Sequence, residues 1–157
     1  MKPLLIALFL CSASLVGCRP SSGPPVIRWA EESCDRCRML ISDERFAAAA
    51  QFPDGSVRQY DDPGCLLDDL REQQQSPEKI WLRSYDGKSW LDAEDAWLVH
   101  TDKITTPMGS GLAAFADQEE AQAFAKKFSA SLYTFHQFLQ KRTGLPQDKS
   151  REATKDY

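Results

Sequence analysis

An α+β fold made of two tandem ββαβ halves is what this sequence of 157 residues predicts. Three observations point there. Val57-x-x-Tyr60-x-Asp62 and Leu112-x-x-Phe115-x-Asp117 repeat the same pattern at a constant offset of 55 residues, and internal self-similarity of this kind marks a repeated structural unit. Each copy runs into a segment whose apolar residues fall at helical spacing behind a capping aspartate. Each helical segment is flanked by short runs of strand-forming residues bounded by turn formers. Two helices covering small mixed or antiparallel sheets, one per half, satisfy all three observations. The first half spans residues 31–93 and the second 94–144.

In the first half, Arg45 to Phe52 and Val57 to Tyr60 flank the turn-forming Pro53-Asp54-Gly55, the pattern of a β-hairpin. Asp62 is a good helix N-cap and Pro63 a good first helical residue, and Leu66, Leu67 and Leu70 make one apolar stripe. After Ser76-Pro77, the run Lys79 to Tyr85 alternates as a strand and stops at Asp86-Gly87. The second half repeats the order. Ala96 to His100 and Gly111 to Phe115 are strand-like; Asp117 with Glu120 three residues on forms a box-like cap for a helix through Ala121, Phe124, Ala125 and Phe128; Leu132 to Phe135 closes the unit. His136 to Thr143 adds a short helix that docks Phe138 and Leu139. Trp81, Trp90 and Trp97 lie in or beside strands, where packing accounts for them.

The ends of the chain are of another kind. Residues 1–17 combine Lys2 with an apolar run from Leu4 to Leu10, too short to span a bilayer, and read as an export signal. Its close, Leu15-Val16-Gly17-Cys18, resembles a lipobox, which implies cleavage before Cys18 and a diacylglyceryl thioether on it. The alternative, an ordinary secretion signal with Cys11 and Cys18 as small apolar residues, must account for the abrupt change at Arg19. Residues 18–30 are a polar tether rich in Pro, Gly and Ser; residues 145–157 are a charged tail with almost no apolar side chains, expected to be disordered. Cleavage leaves 140 residues with 18 basic and 23 acidic side chains, a net charge near −5. No basic patch argues for nucleic acid. Membrane contact therefore rests on Cys18.

The chemistry lies in Cys34-Asp35-Arg36-Cys37-Arg38-Met39. Once Cys18 is acylated, three thiols remain, Cys34, Cys37 and Cys65, an odd number for an oxidising compartment. Either Cys34 and Cys37 form a small-loop disulfide with Cys65 buried, or a metal holds at least one thiolate. Thiolate and thioether donors select Cu(I), and Cys34, Cys37 and Met39 offer that set. If Cys37-Arg38-Met39 is extended, period-two alternation puts Cys37 and Met39 on one face, their Cα atoms roughly 6.6 Å apart. Two bonds of about 2.3 Å, the zinc–thiolate length, bridge sulfurs about 4.6 Å apart, so modest leaning lets one ion take both. A thioether in place of a third thiolate lowers the site's charge and eases release of the ion, which suits delivery better than storage.

Competing chemistries fare less well. A closed zinc site usually shows a second Cys or His pair, whereas His100 and His136 stand isolated and Cys65 would have to be recruited alone. Covalent haem attachment needs His where Arg38 stands. Thiol–disulfide exchange is the main alternative, in which the protein reduces or protects a partner's copper site, but no amphipathic helix follows the Cys-x-x-Cys. Neither His sits in a hydrolase signature, so no catalytic residue is assigned. Cys65 reads as core filling, or as a thiol activated by a helix N-terminus, and His100 as a strand residue.

These residues resemble the NosL family, accessory copper lipoproteins of nitrous-oxide reductase maturation. The resemblance rests on Leu15-Val16-Gly17-Cys18, on Cys37-Arg38-Met39, on Trp90-Leu91-Asp92-Ala93-Glu94-Asp95-Ala96-Trp97, and on Thr106-Pro107-Met108-Gly109-Ser110-Gly111 leading to Phe115. It implies paired ββαβ halves and a monomeric, non-enzymatic Cu(I) carrier, anchored through Cys18 and facing the periplasm. Copper would pass to the machinery that assembles the copper–sulfide centre of nitrous-oxide reductase. The resemblance also makes Met108 a copper ligand beside Cys37 and Met39, with Cys34 a weaker candidate because some members lack its counterpart. Gly or Gln often precedes the motif methionine in the family, where this chain has Arg38. Arg19 after Cys18 is not the aspartate that resembles an inner-membrane retention signal, which leaves outer-membrane sorting open.

Overall fold

The computed structural model describes residues 23–73 and 76–143, so the expected export signal, Cys18 and the charged tail lie outside the described residues. The hairpin at Pro53-Asp54-Gly55 joins β1 (Ala48–Gln51) to β2 (Val57–Tyr60), and Gly55 turns it at φ 81°. Helix α1 (Pro63–Gln73) follows Asp62, whose Oδ1 accepts from the Gly64 N–H at 2.6 Å; Leu66, Leu67 and Leu70 are buried beneath it. Strands β3 (Lys79–Arg83) and β4 (Trp90–Asp92) complete an antiparallel sheet of order β2-β1-β3-β4.

The second sheet repeats this plan. Strands β5 (Trp97–His100), β6 (Leu112–Phe115) and β7 (Ser131–Thr134) pair antiparallel in the order β6-β5-β7, with α2 (Gln118–Phe128) packed on them. Asp117 Oδ1 caps α2 by accepting from the Glu120 N–H at 2.9 Å. Helix α3 (Phe135–Thr143) then lies against α1, β5 and β7. The predicted α+β class is correct: in both sheets the hairpin's first strand is central and the strand after the helix lies on its far side.

Two local expectations need correction. The chain from Arg45 does not enter a strand, because the Asp43 side chain accepts from the Arg45 N–H and winds Glu44–Phe46 into a 3-10 turn. Trp90–Asp92, with Trp90 expected in or beside a strand but no separate strand predicted there, forms β4 on the first sheet, an addition the second sheet does not repeat. A parallel bridge between Ser84 and Ala114 and the Tyr85 N–H donating to the Ala114 carbonyl at 2.8 Å join the two sheets. One core cluster runs across both halves, from Ile41, Tyr60 and Leu66 to Leu98, Leu112 and Phe138. The interface between the halves is thus packed like a core, and the site lies at its edge.

Candidate metal centre

Cys34 to Met39 forms a tight turn. The Cys34 N–H donates to the Met39 carbonyl at 2.8 Å, the Arg38 N–H donates to the Cys34 carbonyl at 3.0 Å, and Ser33 pairs with Leu40 beyond them. Closing so small a loop forces Arg38 to φ 67°, the left-handed region that side chains other than glycine rarely adopt. The turn is fastened to β2, since the Asp35 N–H donates to the Gln59 carbonyl at 2.8 Å and Asp35 Oδ2 accepts from the Gln59 N–H at 2.7 Å. Arg36 reaches α1 and makes a bidentate pair with Glu72 at 2.5 and 2.7 Å.

This stitching sets both thiols of the Cys-x-x-Cys beside the end of β2 and the start of α1. The sulfurs of Cys34, Cys37 and Cys65 and a carboxylate oxygen of Asp61 all lie within 4.8 Å of one another. Cys34, Cys65 and Asp61 are buried, Cys37 is half-buried, and none of the thiols is in a disulfide. The Cys37 thiol donates toward Asp61 Oδ1 at 3.4 Å. Burial pushes the Cys34 thiol up to about 11 from its ordinary 9.0, and burial together with the neighbouring thiols and Asp61 raises Cys65 as well. Both thiols therefore hold their protons at neutral pH.

The group fits a soft ion. Two metal–sulfur bonds of about 2.3 Å span about 4.6 Å in line, so sulfurs within 4.8 Å need close by only a few tenths of an ångström. Asp61 is a harder donor, more at home with harder or borderline ions than with Cu(I), and it accepts the hydrogen bond of the Cys37 thiol.

A cleft of about 620 Å³ opens from Cys37 and Cys65 between the two halves. His100 at the end of β5 and Met108 in the β5–β6 loop face it from the second half, with Asp68 and Glu72 of α1 at the other side. The predicted residues divide accordingly. Cys34 and Cys37 come together, and Met108 lines the same cleft at 45% exposure. Met39 is 53% exposed and is not among the cleft residues. The extended Cys37-Arg38-Met39 geometry does not form, because the left-handed Arg38 breaks the alternation. Cys65 is buried in the core, as the first of its two readings expects, and its sulfur also lies within the group; Asp61 is a member that the sequence did not suggest. His100 is in a strand as expected, packs at a tilt against Phe138 with 5.6 Å between ring centroids, and also lines the cleft. No helix among the described residues is long and apolar enough to cross a membrane.

Comparison with known proteins follows the same lines. No curated protein matches the chain. The crystal structure of the copper chaperone NosL from Shewanella denitrificans superposes with a TM-score of 0.64, at 19% identity, over 74% of this chain and 96% of that one, and so shares its fold. The family model described as NosL matches residues 25–142, which takes in both sheets, α1, α2, all but the last residue of α3, and the whole sulfur group. This chain belongs to the NosL family.

Proposed function

We propose that the protein is a non-enzymatic copper carrier that binds Cu(I) through sulfur and passes it on by ligand exchange. The observation that carries this reading is the convergence of three cysteine sulfurs within 4.8 Å at the edge of an open cleft. Two of the thiols are buried, so they can grip a soft ion out of water. Cys37 is half-buried and shared with the cleft, so an incoming thiol, thioether or imidazole of a partner can reach the ion there while one sulfur of this chain leaves. Copper keeps its oxidation state throughout. Membership of the NosL family and the shared fold with a copper chaperone support the same assignment.

In this reading Cys37 is the first ligand, Cys34 and Cys65 supply the buried sulfurs, Met108 adds a thioether from the second half, and Met39 stands exposed where a partner meets the site. The client is the assembly machinery of the copper–sulfide centre of nitrous-oxide reductase. A monomer anchored through a lipid on Cys18 and facing the periplasm suits a donor that meets its acceptor at a membrane. Thiol–disulfide exchange is less well supported, because it needs a lowered thiol pKa and burial raises those of Cys34 and Cys65.

Anaerobic titration of the purified protein with Cu(I) against a competing chelator tests the reading. One ion per chain is expected, with Cys37→Ser weakening binding at least a hundredfold. Wild-type stoichiometry and affinity in Cys37→Ser, or no uptake by the wild type, would contradict it.

A further inference from the structure

Asp62 joins the two halves of the proposed site with a single carboxylate. It is fully buried and precedes α1, where Oδ1 accepts from the Gly64 N–H at 2.6 Å and starts the helix that carries Cys65. Its other oxygen, Oδ2, accepts from the backbone N–H of Met108 at 3.0 Å, 46 residues away in the second half. The two segments approach closely here, since a Cβ on Gly64 would lie 2.7 Å from the Cβ of Ser110. The Met108 turn has its own bracing, with the Gly109 N–H donating to the Thr106 carbonyl at 3.0 Å and the Gly111 N–H to Thr106 Oγ1 at 3.3 Å. Its link to α1 through Asp62 fixes where that braced turn stands.

A buried carboxylate is costly unless its oxygens are satisfied. Asparagine or serine would serve a helix start, and many turns stand without a long-range acceptor. Asp62 does both tasks at once, on the two segments that bring Cys65 and Met108 into the same cleft.

We propose that Asp62 is a positioning residue of the carrier site: by holding the Met108 backbone, it sets how far the Met108 thioether can reach toward Cys37 and Cys65, and thereby how firmly a soft monovalent cation is held. This rests on the copper reading above. Asp62 need not touch the ion. Its effect passes through Met108, so removing the carboxylate matters only while the thioether is present.

The two tasks of Asp62 can be separated. In Asp62→Asn the amide oxygen can still accept from the Gly64 N–H, while the amide nitrogen is left facing the Met108 N–H, donor against donor. Asp62→Ser keeps an oxygen suited to an N-cap but is too short to reach across. The experiment is a double-mutant cycle on Cu(I) affinity in the purified protein, by anaerobic chelator competition, with Asp62→Asn, Met108→Leu and the pair; Asp62→Ser is taken through the same cycle.

Asp62→Asn and Met108→Leu are each expected to weaken Cu(I) binding about tenfold, and the pair no further than Met108→Leu alone. A carboxylate that merely supports the fold would lower affinity equally in both backgrounds. Multiplying effects, or wild-type affinity in both Asp62 variants, would overturn the positioning role while leaving the carrier reading intact. Absence of Cu(I) binding by the wild type would overturn the carrier reading and this inference with it.

Discussion

Arg38 stands at φ 67°, between the two residues first expected to share an ion. A left-handed residue with a Cβ costs roughly 1–2 kcal/mol, part of which glycine returns as extra freedom of the unfolded chain. Arg38→Gly is therefore expected to leave copper binding unchanged and to raise stability by up to about 1 kcal/mol in urea unfolding. The three-residue alternation of Cys37-Arg38-Met39 pointed the other way, because it takes no account of a left-handed residue at its centre. The buried thiols make a second prediction. Cys34 and Cys65 hold their protons at pH 7, so each one that becomes a ligand must release a proton. Apparent Cu(I) affinity should fall on acidification from pH 8 to pH 6, by about tenfold per pH unit for each such thiol, measured by chelator competition; a flat profile would remove the buried thiols from the ligand set. The metal-free protein responds in the opposite sense. Its Cys34 pKa is raised on folding, so the stability from keeping that proton is intact below about 9 and is lost as the pH climbs through about 11.

At the scale of elements, the two helices and their caps were the most legible parts. Asp62 and Asp117 each sit one residue before a helix of 11 residues, and the offset of 55 between them survives intact in the structure. Capping is a local interaction, so sequence spacing reports it well. The 3-10 turn at Glu44–Phe46 and strand β4 were less so, because a hydrogen bond from the Arg45 N–H to the Asp43 carboxylate decides the first and pairing with β3 the second. The caps allow a contrast. Asp117→Ala removes the acceptor for the Glu120 N–H and should cost about 1 kcal/mol in chemical unfolding without changing copper affinity, since α2 contributes nothing to the cleft. Gly64→Ala should do both. Alanine is the better helix former, yet its Cβ would press on Ser110 at 2.7 Å, so a loss of about 1–3 kcal/mol is expected together with weaker Cu(I) binding as the Met108 turn is displaced.

The molecule as a whole is two similar sheets fused by a common core, and that fusion makes the site. Phe138 of α3, 1% exposed, packs on Tyr133 and His100 of the second half and belongs to the same buried cluster as Leu66 and Tyr60 of the first. Phe138→Ala should cost about 3–5 kcal/mol, with near- and far-ultraviolet signals still falling together in one transition. Two separated transitions would mean that the halves fold independently. The sulfur group shows why the site was only partly legible. Cys34 and Cys37 are close in sequence and the soft-donor argument found them, whereas Cys65 and Asp61 join through the seating of the Cys-x-x-Cys turn on β2, which no local pattern records. Met108 was visible through family resemblance alone, and the fold places it across the cleft from Cys37. X-ray absorption at the copper edge of the Cu(I)-loaded protein tests the central claim most directly. A first shell of three or four sulfur scatterers near about 2.3 Å is expected, while a shell dominated by nitrogen or oxygen would contradict the account.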